Sequence, residues 1–276
     1  MNLWELVVAF ILGLVEGATE FAPVSSTGHM IIVDDMLLKS KEIFSQPVAN
    51  TFKVVIQLGS ILAVVIIFKD RLFHLLGLKK RTTADHQEMS QLKLSVVIVG
   101  LLPATVLGFL FEDYIDEHLF SVNTVLIGLV VGAVLMLLAD KLAPKYVQAE
   151  TVDDVTYKQA FLVGLFQCFA LWPGFSRSGS TISGGVLLGM SHRAAADFTF
   201  IMAVPIMSGA STLSLISNWE YFTLDVLPFF VVGFISAFIF ALVSIRFFLA
   251  LINKIKLTPF AIYRIVLAAV IYFVFL

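Results

Sequence analysis

Two carboxylates, Glu16 and Glu20, stand four residues apart in Gly13-Leu-Val-Glu-Gly-Ala-Thr-Glu20, flanked by apolar residues. On a helix that spacing puts both on one face. Buried together they repel, so a cation, an arginine or a shared proton must compensate, and the pair suits a hard-cation site or acid/base chemistry. The plainer alternative is a capping or solvated pair at the mouth of a hairpin. Next comes Pro23-Val-Ser25-Ser26-Thr27-Gly28-His29, with hydroxyls, a permissive glycine and an imidazole within seven residues. Ser26 and His29 are three apart, so a turned backbone could bring the ring within reach of the hydroxyl as general base. Hydroxyls closing a broken helix end, with His29 on a carbonyl, is the competing account.

The second half carries Trp172-Pro-Gly174-Phe-Ser176-Arg177-Ser178-Gly179-Ser-Thr181, an arginine among small hydroxyl residues and glycines inside an apolar stretch. Gly174 and Gly179 let backbone approach a ligand, amides at a helix start attract oxyanions, and the planar guanidinium fork matches phosphate. Alternatively Arg177 neutralises Glu16 or Glu20, and both roles can coexist. Other polar positions say less. Lys53, Arg246 and Arg264 fall near span ends and are expected to snorkel to water as anchors. Gln57 and Ser60 either line a cavity or make packing hydrogen bonds. Gly128 and Gly132 suit close helix packing.

Such side chains need a scaffold that holds polar groups in apolar surroundings. Of 276 residues 59% are hydrophobic and 14% charged, with 26 Phe, and the mean hydropathy is +0.97. A soluble core cannot absorb that, so the expectation is an all-α integral membrane protein. Six apolar runs are candidate transmembrane helices: Phe52 to Phe68, Leu94 to Phe111, Val122 to Ala139, Phe198 to Ile216, Val226 to Leu249 and Pro259 to Leu276. No removable signal peptide is expected at the start. The single cysteine, Cys168, excludes a disulfide framework or Cys-based metal cluster, and a net charge of -2 argues against a nucleic-acid partner.

Two further stretches, 3–38 and 158–192, are apolar at their flanks and interrupted by Pro, Gly, Ser and charge. Broken backbone at membrane depth must be buried or line a cavity, so each reads as a re-entrant helical hairpin. A shift of 151 residues lays Gly13 and Glu16 on Gly164 and Gln167, and Ser25, Thr27 and Gly28 on Ser176, Ser178 and Gly179. Both halves then run hairpin, span, span, span. An odd number of crossings inverts the second copy, which is the inverted-topology repeat with its site near the midplane. The expected division is 1–140 for the first repeat, 141–157 for a cytoplasmic linker and 158–276 for the second. Lys69, Arg71, Lys79, Lys80, Arg81 and Lys93 mark 69–93 as cytoplasmic. Threading outward puts 112–120 and 217–225, which lack Lys and Arg, outside, and Lys141, Lys145, Lys158, Lys254 and Lys256 inside; Lys39 and Lys41 run against the trend.

Glu16-Gly-Ala-Thr-Glu20-Phe-Ala-Pro-Val-Ser-Ser-Thr-Gly-His29 and Pro173-Gly-Phe-Ser-Arg-Ser-Gly-Ser-Thr181 together resemble the undecaprenyl-diphosphate phosphatase family, the bacitracin-resistance proteins of bacteria. Phe52-Lys-Val-Val-Ile-Gln-Leu-Gly-Ser60, Leu171-Trp-Pro-Gly and the tail Pro259-Phe-Ala-Ile-Tyr-Arg264 carry the resemblance nearly end to end. It implies removal of the terminal phosphate from a polyprenyl diphosphate lipid, recycling the carrier for peptidoglycan synthesis. By motif position Glu16 and Glu20 are the acidic pair, Ser26 the nucleophile, His29 its partner and Arg177 the phosphate-binding arginine. Ser176, Ser178 and Thr181 match the motif's hydroxyls, with Ser25, Thr27 and Gly179 expected beside the substrate. A divalent cation, magnesium or calcium, is implied, with Glu16 and Glu20 as its ligands. So are membrane-lipid contacts and a bacterial inner-membrane location with the site open to the periplasmic face; a homodimer is left open.

A polyprenyl-phosphate flippase or an inverted-repeat secondary transporter would share this plan, and a Ser–His dyad would also serve an intramembrane serine protease. The arginine motif of type 2 phosphatidic acid phosphatases needs a histidine where this chain has Ser183. A hydroxyl nucleophile beside an arginine cradle favours phosphate hydrolysis. The orientation predicts that a cysteine placed in 112–120 is labelled from outside intact cells and one at 79–81 is not; the opposite sidedness would overturn it.

Overall fold

The computed structural model describes residues 2–78, 92–119 and 121–275. Lys79, Lys80 and Arg81, on which the cytoplasmic assignment leans, lie outside the described residues. The described residues are mostly helical. Asn2 opens α1 (Leu3–Thr19) in a reciprocal capping box with Glu5. After a break come α2 (Ser26–Met30), a wider π-helical segment Ile31–Leu38 and α3 (Ser40–Ile43). Then follow α4 (Gln46–Ile67), with Pro47 in its first turn, and α5 (Lys69–Leu75). The next pair is α6 (Leu94–His118) and α7 (Val122–Leu142). A second broken pair, α8 (Tyr157–Cys168) and α9 (Arg177–Leu187), precedes α10 (His192–Ser217), α11 (Leu227–Ile255) and α12 (Thr258–Phe275). Among the described residues there is no strand, only an isolated bridge between Ala149 and Met190.

Among the described residues five helices are long and apolar enough to cross a membrane: α4, the Leu94–Phe111 part of α6, α7, α10 and α11. The sixth expected span is a shorter apolar helix over Thr258–Val274, which at 1.5 Å per residue reaches about 26 Å. Several helices overrun the apolar windows. α10 starts at His192 because Ser191 accepts from Ala194 N, and α4 starts at Gln46 ahead of Pro47. Capping supplies polar end turns that hydropathy windows omit.

The broken pairs sit inside the bundle. Along α1, Gly13 and Gly17 let the helix backbone press on α11 at Gly233, Ser236, Ala237 and Ala241. Ser236 Oγ donates to Phe10 O at 2.8 Å and Ser244 Oγ to Ala18 O at 2.8 Å, which fixes the register of the seam. The 173–175 turn lies on Gly128 and Gly132 of α7. Those glycines therefore admit the turn and Arg264, where sequence reading had expected only close helix packing. Arg264 itself is buried and is no snorkelling anchor, because backbone carbonyls meet its guanidinium. Lys53 also turns inward, to the fully buried Asp34 at 2.8 Å. Arg246 is exposed, as expected of an anchor.

At the other end of the bundle Asp140 on α7 accepts from the Leu257 and Thr258 amides at 3.0 and 2.8 Å and from the Thr258 hydroxyl at 2.6 Å. Its second oxygen meets His192 Nε2 at 2.8 Å. One carboxylate thus caps α12 and holds the start of α10. The expected linker 141–157 is packed against its neighbours. Asp153 takes a forked bond from Arg71 at 2.8 and 2.9 Å, and Gln148 N donates to Gly189 O at 2.7 Å.

Gly17→Val should force α1 off α11 and cost roughly 1–3 kcal/mol. The check is a lower thermal midpoint in detergent than wild type.

Candidate active site

Each broken pair turns on a serine in the left-handed region. Ser25 has φ 69 and ψ 98, and Ser176, 151 residues later, has φ 75 and ψ 117. Each hydroxyl accepts the amide three residues on, Gly28 N at 3.4 Å and Gly179 N at 3.2 Å. A non-glycine residue at positive φ stores on the order of 1–3 kcal/mol and persists only where its surroundings over-determine it. The turn sets the next residue at the head of a short helix. In one copy that residue is Ser26, in the other Arg177.

These two meet through Glu20, which ends α1. Ser26 Oγ donates to Glu20 Oε2 at 2.6 Å, and Arg177 Nη2 donates to Glu20 Oε1 at 3.1 Å. The Arg177 and Glu20 side chains are only 14% and 10% exposed, so the ion pair lies largely out of water. Arg177 also sits over the Phe21 ring at 5.7 Å and reaches Thr199 O at 3.4 Å. That leaves part of its five-donor fork for an incoming anion.

His29 does not reach Ser26. Its Nδ1 lies 2.8 Å from Ser25 O and its Nε2 2.7 Å from the Tyr263 hydroxyl, with the two rings stacked at 5.6 Å and 12°. A carbonyl only accepts, so Nδ1 carries the proton, and in the neutral ring Nε2 accepts from Tyr263. The expected Ser26–His29 dyad is therefore not formed. Both ring nitrogens are taken, and the carboxylate is the serine's partner.

Glu20, Ser25, Ser26, Thr27, Ser176 and Arg177 line one cavity of about 290 Å³, closed by Gln57, Trp172, Pro173, Gly174 and the apolar residues Ile206 and Met207. Gln57 also accepts from Ser211 at 3.3 Å, so it both lines the cavity and packs. A larger cavity of about 740 Å³ shares Ser26, Thr27 and Gln57 with the first and extends past Glu16, Asn50 and Lys53 to Lys41 and Ser121. Three expected substrate contacts are not in either wall. Ser178 is buried and donates to Ala22 O at 3.2 Å, stitching the two breaks together. Thr181 bonds Arg177 O and Thr199 at 2.8 Å each. Gly179 lies behind the turn, where a side chain would meet Arg264.

Glu16 is buried on the same helix as Glu20, and its Oε1 has no hydrogen-bond partner. Gln167, its counterpart after the shift of 151, is likewise buried with both amide atoms unpartnered. Among the described residues no cluster of three or more His, Cys, Asp or Glu stands ready for a metal. Sequence reasoning missed Trp172, whose Nε1 donates to Thr124 O at 2.9 Å, and Tyr263. The signal for Tyr263 was its place beside Arg264 in the tail motif.

Membrane-length helices around a half-buried serine, glutamate and arginine, set at the ends of broken helices, define a multi-pass membrane protein with an internal polar centre. Residues 9–270 match the family model described as bacitracin resistance protein BacA, and the chain belongs to that family. It is 71% identical over 276 residues to an undecaprenyl-diphosphatase of Geobacillus sp. (strain WCH70), covering 100% of both chains. To the undecaprenyl-diphosphatase of Bacillus subtilis (strain 168) it is 66% identical over 271 residues, 98% of each.

With histidine labelled by ¹⁵N, His29 should resonate as a ring protonated at Nδ1. A ring protonated at Nε2 alone would contradict the bond to Ser25.

Proposed function

We propose that the protein is a membrane-embedded phosphatase that hydrolyses undecaprenyl diphosphate to undecaprenyl phosphate and inorganic phosphate, a reaction whose antibiotic consequence is bacitracin resistance. The observation that carries the chemistry is the line Ser26–Glu20–Arg177, at 2.6 and 3.1 Å, in the wall of a cavity with apolar residues on one side. Family membership and high identity to relatives named for this activity point the same way.

The substrate's diphosphate enters beside Arg177, whose fork holds the terminal phosphoryl oxygens. Ser26 Oγ attacks the terminal phosphorus while Glu20 Oε2 takes the hydroxyl proton. The Oγ–P bond forms as the bridging P–O bond breaks, and undecaprenyl phosphate leaves. Glu20 hands the first proton to the departing phosphate; water then attacks the phosphoserine, Glu20 takes the water's proton and returns it to Ser26 Oγ as the Oγ–P bond breaks, and inorganic phosphate departs. Through both steps Arg177 offsets charge on the equatorial oxygens, where most of the stabilisation in phosphoryl transfer arises. Ser25, Thr27 and Ser176 are the remaining polar contacts in the wall.

The unpartnered Oε1 of Glu16 fits a cation, and both oxygens of Glu20 are already engaged. Magnesium or calcium would therefore be held by Glu16, without a closed protein cage. Bound there, it would neutralise phosphate charge. The matching turns at Ser25 and Ser176 support the inverted-topology repeat, with α1–α2 and α8–α9 as re-entrant hairpins and α12 as a sixth, short span. The basic segment 69–93 favours an inner-membrane orientation with the site reached from the periplasmic face. A flippase or secondary transporter needs phosphate recognition but no hydroxyl held on a carboxylate.

Purified protein in detergent, with no second compartment, should release inorganic phosphate from undecaprenyl diphosphate. Ser26→Ala should abolish release while substrate still binds, and Ser25→Ala should keep appreciable activity. Substantial turnover by folded Ser26→Ala would move attack to a water or another side chain. Failure of the wild type to release phosphate would leave transport.

A further inference from the structure

We propose that Tyr263 and Arg264, adjacent on α12, are a positioning pair that holds the two broken hairpins in register across the Ser26–Glu20–Arg177 line. The inference rests on the phosphatase reading for its kinetic test only. Consecutive residues on a helix point about 100° apart, so one residue can serve each hairpin.

Arg264 serves the second. It is fully buried, and Nη2 donates to Gly174 O at 2.9 Å, Phe175 O at 2.8 Å and Gly128 O at 3.2 Å, while Nη1 lies 3.4 Å from Met136 Sδ. Its acceptors are carbonyls, with no carboxylate among them. A buried cation is expensive, and an apolar side chain of similar volume would pack there at lower cost. What the guanidinium adds is a nitrogen, Nη2, carried at the end of a rigid plane, on which three carbonyls converge. With the Phe175 carbonyl turned to Arg264, the trans peptide points the Ser176 amide the opposite way. Ser176 and Arg177 follow directly and line the cavity.

Tyr263 serves the first. Its hydroxyl holds His29 Nε2 at 2.7 Å, and His29 Nδ1 holds Ser25 O at 2.8 Å. That carbonyl belongs to the peptide joining Ser25, at φ 69, to Ser26. The contacts close a circuit: Tyr263 to His29, Ser25, Ser26, Glu20, Arg177, and back through the 174–176 turn to Arg264. His29 is thereby a positioning residue, acting through Ser25.

Tyr263→Phe removes one oxygen from a side chain 46% exposed and keeps the ring, so the variant folds. Its kcat on undecaprenyl diphosphate in detergent should fall by about tenfold or more, with KM nearly unchanged, because misplacing a reacting group costs rate while Arg177 still binds phosphate. Arg264→Lys ends about one bond short of Nη2, on which the three carbonyls converge, and should lower kcat and raise KM together. Wild-type kcat in Tyr263→Phe would overturn the proposal. A second readout needs no substrate: cysteines at Thr27 and Ser176 should cross-link readily in the otherwise native protein and markedly more slowly with Arg264→Lys or Tyr263→Phe. Unchanged cross-linking in both would also overturn it. If the wild type releases no phosphate, the phosphatase reading fails and the cross-linking arm still decides the positioning claim.

Discussion

Arg177 and Glu20 face each other at 3.1 Å across the two breaks, each nearly out of reach of water. Either charge alone at that depth would be costly, and the pair is tolerable because each supplies the other's counter-charge and further hydrogen bonds use what remains. Glu20 spends its second oxygen on Ser26, and Arg177 adds Thr199 O and the Phe21 face. The orientation of the Ser26 hydroxyl is thus a by-product of neutralising a largely buried arginine. The same constraint draws the broken hairpins together, since neither could bury its charged residue alone.

Bringing polar backbone that close requires surfaces without side chains. Gly13 and Gly17 sink α1 against α11, while Gly128 and Gly132 open a bed on α7 for the 173–175 turn. Hydroxyls then complete the joins. Ser178 crosses to Ala22 O, Ser236 and Ser244 reach α1 carbonyls, and Ser180 reaches Phe166 O. In an apolar medium such bonds meet the carbonyls that a break or a close approach leaves over. The serine-rich character of the second motif is therefore as much structural as chemical.

The residues at the centre were legible because their types are anomalous in an apolar chain, and the breaks were legible because Pro, Gly and Ser interrupt runs that otherwise continue. What was not legible depends on partners far away in sequence. His29 stands three residues from Ser26, yet its ring is claimed by Tyr263, 234 residues on. Arg264 looked like an anchor because long cations near span ends normally reach water; only the folded chain places carbonyls of Gly128, Gly174 and Phe175 around it. Asp140 drew no reading from sequence, since the amides it caps belong to α12. Ser178 and Thr181 shared the motif with Ser176 and Arg177 but lie on the buried side of α9. Spacing says which residues travel together, and packing alone says which of them face the cavity.

The seam between α1 and α11 bears on how the chain is made. Ser236 bonds to Phe10 and Ser244 to Ala18, each pair 226 residues apart, and the glycine face of α1 has no comparable partner until α11 exists. During synthesis the first helix must therefore wait, its capped start formed and its apolar and glycine-lined face unclaimed, while most of the protein is added. Closing so long a loop is slow, because non-local contacts must be reached before they reward the entropy lost. The carboxylates of the first break ride on that waiting helix. The segment bearing Glu16 and Glu20 therefore lacks the partner of its glycine face until α11 has been made.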